Sequence, residues 1–464
     1  MTRNVHFYFA PPVNSAVMAH LFRNDRREHA GVLLCGWAQH GKRILLVTRE
    51  FVPARDGVDY TTTRDGHGRL EPLFIDDVLT RAKEQGLAYI AIHNHFSNDQ
   101  VSFSKVDFAS HEYGYPTLAR LNAGLPVGAA VFGLNSIEVD LWMPGGRRHQ
   151  LKTARVVGHE VRHLWAANSF APASAYDEQF DRQLPFLRAG GQGLIAATTI
   201  GIVGVGGLGS QLLEPLVRLG FRHFVIIDPD RIDRSNYSRV HGVRLPDLPR
   251  LLRKGTSKVK IAARLLSQIT PDVTVEIVQA DVAKGENYKH LLGCDFVFLA
   301  ADTAEARLTC NAVAQQYFIP MLQLGTKVQI AADKSLQGVF GAVRHIRPGC
   351  GCLWCNGLID RVALANAGKS EAQRRAERYG VNAPNPAVVT FNAEVAARGM
   401  NEFLVSYISD GLSRNASAYG LIDLLSGERD PLEPTRDPDC PFCSQAPGTH
   451  FGLAGARPVP VVGS

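Results

Sequence analysis

The stretch that most limits the fold is Thr198–Ser210, TTIGIVGVGGLGS. Apolar Ile200, Ile202, Val203 and Val205 lead into a turn carrying Gly204, Gly206, Gly207 and Gly209, and a periodic segment, Leu208–Leu219, follows. This order reads as a buried strand, a tight turn that can cradle phosphate, and a helix whose N-terminus faces the ligand. The glycines let backbone amides approach a phosphate, and the helix dipole favours its negative charge. The motif alone suits a dinucleotide, ATP or a turn without a ligand, so flanking residues must separate these.

A chain of 464 residues is long enough for two or three domains, and its 45% hydrophobic and 20% charged content is that of a globular protein. The formal charge of +6, from 50 basic and 44 acidic residues, is spread along the chain. It does not argue for nucleic acid, so none is expected as a partner, and it allows only a modest preference for acidic partners. No apolar run has the length of a membrane helix, and MTRNVHFYFAPP lacks a signal-peptide pattern, so the expectation is a cytoplasmic protein that spans no membrane. Eight cysteines in such a chain are too few for a disulfide scaffold, and their clustering points to metal.

Residues 1–145 read as a first α/β domain. Strands are expected at His6–Ala10, Gly31–Ala38, Arg43–Phe51, Ala88–Ile92, Val127–Phe132 and Ile137–Trp142. Helices are expected at Val13–Arg23, Glu71–Glu84 and Ser104–Leu121. Its chemistry lies in HNHFSNDQVSFSKVD. His93 and His95 alternate on a strand end and point to one side. Asp107 follows twelve residues after His95 and three after Ser104. Two histidines and one carboxylate leave a fourth zinc position open for water, the catalytic rather than the structural pattern. Such a site needs a general base that is not a ligand, and Glu28 in EHAGVLLCG is the candidate.

These residues resemble the JAB/MPN metalloprotease family, whose pattern is a glutamate, His-x-His and Ser-x-x-Asp. The resemblance implies a cytidine-deaminase-like α/β domain. It implies Glu28 as acid/base, His93, His95 and Asp107 as ligands of a catalytic zinc, and Ser104 as oxyanion support. Two departures stand out. The spacer between His95 and Ser104 is eight residues rather than the usual seven, which makes Ser102 the alternative to Ser104, and Phe96 stands where proline is common. A domain of this type that has lost activity and serves as a binding scaffold is the competing reading.

Residues 146–197 form a connector. Gly145–Arg148 breaks the pattern, Val156–Ala167 is a basic candidate helix, and Ala171–Ser174 reads as a linker. Residues 198–445 form the second domain. After the glycine turn, the strand His223–Ile227 ends in Asp228-Pro229-Asp230, and an acidic residue there suits a ribose in either nucleotide class. Asn236 and Arg239 follow. Lys258 stands on the first turn of a helix, and Asp302 follows the strand Asp295–Ala301, with Arg307 beyond it. Lysine and arginine neutralise a triphosphate, and an aspartate at a strand end holds magnesium. Hydride transfer needs none of these, although an NAD-dependent oxidoreductase with an accessory zinc domain remains the rival.

The segment 176–443 resembles the ubiquitin-activating-like adenylyltransferases through GVGGLGS, DPDRIDRSNYSR, SKVKIAARLL, AADTAEAR and FNAEVAARGMNEFL. The resemblance implies a Rossmann-like, mostly parallel sheet with Asp228 and Asp230 at the ribose. Asn236, Arg239 and Lys258 would hold the ATP phosphates, and Asp302 magnesium. Arg182 of Arg182-Gln183 would reach the ATP of the opposite subunit, which implies a homodimer. Cys352, Cys355, Cys440 and Cys443 form two Cys-x-x-C knuckles, the donor set of a closed structural zinc site.

Cys35, Cys294 and Cys310 read as core residues. No cysteine lies between Cys355 and Cys440, so an acyl-adenylate is either the end point or passes to a thiol such as Cys310 or Cys350. Gly368–Asn385 is a polar candidate clamp over a peptide tail. Residues 446–464 are rich in proline and glycine and are expected to be a flexible tail.

Together these readings describe a bifunctional enzyme. It would trim or release a ubiquitin-like or sulfur-carrier protein ending in Gly-Gly, then adenylate that carboxylate, with a conjugating enzyme or a sulfur donor as a further partner.

Overall fold

The computed structural model describes residues 4–25, 27–62, 68–97, 99–151, 153–165, 177–331, 333, 335–365, 386–408 and 418–462. The expected linker Ala171–Ser174 and clamp Gly368–Asn385 lie outside them. The chain divides into two compact units. One holds Met1–Phe170, Gln316–Phe318 and Cys443–Pro458; the other holds the remainder.

In the first unit the strands are β1 (Asn4–Phe9), β2 (Ala30–His40), β3 (Arg43–Pro53), β4 (Tyr60–Thr62), β5 (Gly68–Leu70), β6 (Ala88–Asn94), β7 (Val127–Phe132), β8 (Ile137–Met143), β9 (Arg147–Leu151), β10 (Thr153–Val157) and β11 (Val161–Trp165). The main sheet runs β11-β10-β1-β3-β2-β6-β7-β8-β9, and β4 pairs with β5. Gly41, with φ of 55°, supplies the left-handed residue of the β2–β3 turn. Helices Pro11–Leu21, Pro72–Gln85 and Lys105–Leu121 accompany the sheet. The second ends on Gly86 in the left-handed region, and the third begins at a capping box between Ser104 and Asp107. Val32, Leu34, Val78, Leu79, Tyr89 and Val127 close the core between these helices and β2, β6 and β7.

Three expectations for this part of the chain change. The sheet does not stop at residue 145 but continues through β9, β10 and β11. Within the candidate helix Val156–Ala167, the described residues form strand and turn instead: β10 and β11 pair antiparallel from Thr153↔Trp165 to Val157↔Val161. The bend at Gly158, the burial of Ala154 and Val156 two residues apart, and the antiparallel pairing itself explain why strand wins over the basic-helix reading. The segment after Cys443 is also held in place. Arg49 of β3 donates from Nη1 to the Phe451 carbonyl (2.7 Å) and from Nη2 to the Ala446 and Gln445 carbonyls (2.8 and 3.1 Å). Gly455 N–H donates to Trp37 O on β2 at 3.0 Å. A buried guanidinium supplies the donors that a segment without a hydrophobic pattern of its own otherwise lacks.

In the second unit the strands are β12 (Thr199–Val203), β13 (His223–Ile227), β14 (Thr274–Val278), β15 (Phe296–Leu299), β16 (Met321–Ile330), β17 (Leu336–Ile346), β18 (Tyr419–Asp423) and β19 (Arg429–Leu432). The sheet order is β14-β13-β12-β15-β16-β17-β18-β19. From β14 to β16 neighbours are parallel; β17, β18 and β19 continue antiparallel. The near-continuous apolar runs IGIV, FVII and FVFL are those of parallel strands covered on both faces. The ring of Phe296 packs tilted against that of Phe403 from the helix Val389–Phe403, with centroids 4.3 Å apart. Truncating such a fully buried ring costs about 3–5 kcal/mol. The fold is mixed α/β with a Rossmann-like parallel sheet. The chain leaves β12 for β13 and β14 on one side, then returns to β15 on the other. That reversal opens a crevice at the C-terminal strand ends.

Candidate functional site

A cleft of about 900 Å³ occupies that crevice. Gly204, Gly206 and Gly207 from the turn after β12 line it, with Asp228 and Asp230 after β13, Asn236 and Arg239 beyond, Lys258, and Asp302 after β15. Gly204 has φ of 88°, and Gly209 packs directly against the Gly204 carbonyl, so the turn is closed on itself. Gly209 is the one predicted glycine that supports the turn without lining the cleft.

Asp228 is buried. Its Oδ2 accepts the Val205 N–H (2.9 Å) and its Oδ1 the Asp230 N–H (2.8 Å), so one carboxylate fixes both the glycine turn and the loop after β13. Burial pushes its carboxyl above the ordinary value, against the pull of Lys258 and these amides. Lys258 begins the helix Lys258–Ile269, and its Nζ lies 2.7 Å from Asp230 Oδ2 and 3.9 Å from Asp228 Oδ1. Asn236 and Arg239 lie on a short turn, where Asn236 Oδ1 accepts the Asp233 N–H and Arg239 Nη1 donates to Ser235 O. Asp302 is exposed at the mouth of the sheet.

The cleft also takes in Thr326 and Lys327 of β16, and Asn392. Asn392 is buried and accepts the Thr326 hydroxyl at 2.8 Å. These residues were not singled out from sequence. A lysine and a threonine at the end of an apolar strand run, and an asparagine within FNAEVAARGMNEFL, were the available signals. Arg182 is exposed just before the helix Leu184–Ala197 and does not line the cleft of its own chain.

Cys352, Cys355, Cys440 and Cys443 converge, with all four Sγ atoms within 4.8 Å of one another. Cys352 Sγ lies 3.6 Å from both Cys355 Sγ and Cys440 Sγ. A zinc tetrathiolate with bonds of about 2.3 Å has edges of about 3.8 Å, so the four sulfurs fit a structural zinc ion. The Phe442 N–H donates to Cys440 Sγ, the kind of outer contact that orients a thiolate ligand.

Cys310 and Cys350 do not fit the relay role considered for them. Both are buried, and burial pushes both thiols up, away from the reactive thiolate. Cys35 and Cys294 are buried as expected.

In the first unit, His93, His95 and Asp107 also converge, each half-buried, with ligand atoms within 4.8 Å of one another. His93 Nε2 lies 3.8 Å from Asp107 Oδ1, and His95 Nε2 3.9 Å from Asp107 Oδ2. Glu28 Oε1 approaches His95 Nε2 to 3.6 Å. Burial opposes ionisation of Asp107, but His93, Ser104 and His95 outweigh it and hold the carboxyl below its ordinary value. Two imidazoles and a carboxylate form a three-donor set that fits a zinc ion with an open position, and the Glu28 carboxylate lies beside it rather than within it. Ser104 Oγ accepts the Asp107 N–H at 3.1 Å, and Ser104 N–H donates back to Asp107 Oδ2 at 2.7 Å. This reciprocal cap keeps Ser104 beside the ligands despite the longer spacer, while Ser102 is exposed. Among the described residues, no helix is long and apolar enough to cross a membrane.

The pattern of the ThiF family matches residues 180–442. Ubiquitin-like modifier-activating enzyme 5 of Drosophila willistoni is 27% identical over 238 residues, covering 48% of this chain and 53% of that protein. The SAMP-activating enzyme E1 of Haloferax volcanii is 33% identical over 132 residues, covering 28% of this chain and 47% of that protein. The crystal structure of E. coli MccB with ATP aligns with a TM-score of 0.43 and 17% identity, over 58% of this chain and 75% of that chain. The chain spans about half the length of the curated relatives it matches. Its glycine turn, its parallel sheet and the match across residues 180–442 carry one conclusion: the chain belongs to the ThiF family.

Proposed function

We propose that the second unit adenylates the C-terminal carboxylate of a small protein ending in Gly-Gly, of the ubiquitin-like or sulfur-carrier kind. The observation that carries this reading is the convergence of Lys258, Asn236 and Arg239 on the glycine turn, with Asp302 across the cleft. A dinucleotide reading leaves the two cations Lys258 and Arg239, the Asn236 amide and Asp302 without a task. In the proposed reaction a carboxylate oxygen attacks the α-phosphorus of ATP. The bond to the bridging oxygen breaks, and pyrophosphate leaves with that electron pair. Asp228 and Asp230 flank the ribose, and Lys258, Asn236 and Arg239 hold phosphate oxygens. Asp302 would hold magnesium there, which would supply charge neutralisation at the leaving pyrophosphate. Arg182 acts from the partner subunit of a homodimer. With Cys310 and Cys350 buried, the acyl-adenylate is handed to a nucleophile from another protein, a conjugating enzyme or a sulfur donor.

The first unit is read as a JAB/MPN-type zinc hydrolase that exposes the same Gly-Gly end. Support comes from the His93–His95–Asp107 cluster with Glu28 beside it. Bound zinc lowers the pKa of a coordinated water. Glu28 would serve as the acid/base that takes a proton from water and gives one to the leaving amine, and the Ser104 hydroxyl would support the oxyanion.

The test is ATP–pyrophosphate exchange dependent on a Gly-Gly-ended partner. Asp302→Ala should abolish exchange and leave the fold intact. NAD binding without exchange would overturn the reading.

A further inference from the structure

We propose that Asn94, the residue between the two histidines, is a positioning residue for Glu28; this rests on the zinc-hydrolase reading of the first unit. Along β6 the side chains alternate, so Asn94 points away from the face that His93 and His95 share. It is fully buried. Its Oδ1 accepts the His29 N–H at 2.7 Å, and its Nδ2 donates to the Arg27 carbonyl at 3.4 Å. These two peptide groups flank Glu28 on either side.

The position in the sheet explains why a side chain is needed there. The β2–β6 ladder ends at Ala30↔His93. His29 and Glu28 lie one and two residues beyond it, where regular strand pairing has stopped. The Asn94 amide takes over, offering one acceptor and one donor where a partner strand would offer the same. Tyr60 reinforces the clamp: its hydroxyl sits 3.3 Å from the Glu28 carbonyl and 2.9 Å from His29 Nδ1, while Asp25 Oδ1 lies 2.9 Å from His29 Nε2. With both flanking peptides fixed, the Cα–Cβ direction of Glu28 is fixed too, and its carboxylate is presented towards His95. A short planar amide is the only ordinary side chain that supplies both hydrogen bonds. Aspartate loses the donor, leucine loses both, and serine is too short.

The test uses the full zinc-loaded chain and a fluorogenic Gly-Gly aminomethylcoumarin peptide. Asn94→Ala should speed hydrogen exchange of the His29 amide by about tenfold, the loss of one buried hydrogen bond. Zinc stoichiometry should stay unchanged. The kcat should fall by about 10–100-fold with KM nearly constant, the penalty of a misplaced base. Asn94→Asp, which keeps the acceptor, should fall between Asn94→Ala and the native chain in both readouts. In a Glu28→Gln background Asn94→Ala should add no further loss, because it acts only through Glu28. An unchanged His29 exchange rate overturns the proposal. So does a loss that persists in full beside Glu28→Gln, since that marks a general structural effect. If the native chain does not cleave the peptide while His29 exchange still responds to Asn94→Ala, the hydrolase reading fails and the backbone clamp stands.

Discussion

Two alanine substitutions in the glycine turn separate its architecture from its ligand. At Gly209 an added Cβ would lie 1.9 Å from the Gly204 carbonyl oxygen and 3.0 Å from its carbon. Ordinary contact begins near 3.4 Å, so the turn must open by about 1.5 Å against backbone that cannot rotate away. Gly209→Ala should therefore cost at least about 1–3 kcal/mol of stability, and nucleotide use falls with it. At Gly206 an added Cβ meets nothing within 4 Å, and the residue is not among those with positive φ. Gly206→Ala should leave stability unchanged or raise it by about 0.4–1 kcal/mol, through the lower entropy of the unfolded chain. Yet Gly206 lines the cleft, and its methyl would occupy space that a phosphate approaches. The KM for ATP in pyrophosphate exchange should rise about tenfold or more, a loss of about 1.4 kcal/mol of binding. Urea unfolding and the exchange assay, run on both variants, give the answer. Native ATP use by Gly206→Ala would refute the phosphate cradle, and native stability of Gly209→Ala would refute the closed turn.

A second expectation concerns acid. Both Asp247 carboxylate oxygens accept from the Arg264 guanidinium (2.8 and 2.6 Å), and one also accepts the Arg244 N–H, so Arg264 foremost holds the carboxyl at about 2. Its folded value is depressed, so its contribution of about 2 kcal/mol is present above the unfolded value near 4 and is lost as pH falls towards 2. Stability measured by urea titration should drop over that window, and Asp247→Asn should remove this part of the dependence while lowering stability at pH 7. A third concerns metal: Cys440→Ser should cost one zinc per chain by metal analysis and more than about 3 kcal/mol of stability, and unaltered zinc content would count against the tetrathiolate site.

What the sequence made legible followed local rules. The apolar runs before Gly204 and Asp302 and the paired Cys-x-x-C knuckles carry their periodicity or spacing within a few residues. The His-x-His pair does so as well, and its partner Asp107 is marked by the Ser104 cap. What was missed depends on partners distant in the chain. Thr153–Trp165 is short and rich in arginine and histidine, and only pairing with β1 makes it strand. Lys327 and Asn392 come to the cleft from β16 and a helix some sixty residues apart, and their local signals do not show that they meet. The depth of Cys350 depends on Ala418 and Tyr419, which no local pattern reveals.

The strap formed by residues 443–458 bears on how the protein is made. It belongs to the unit that the first 170 residues begin, yet a ribosome must build almost the entire second unit before it appears. At about 5–20 residues per second, the first sheet waits for some tens of seconds with the Arg49 guanidinium and the backbone of β2 still uncovered. During that interval the unit is open to chaperones and to mispairing. A late closing contact of this kind makes completion of the first unit a report that the second has been synthesised through its last knuckle.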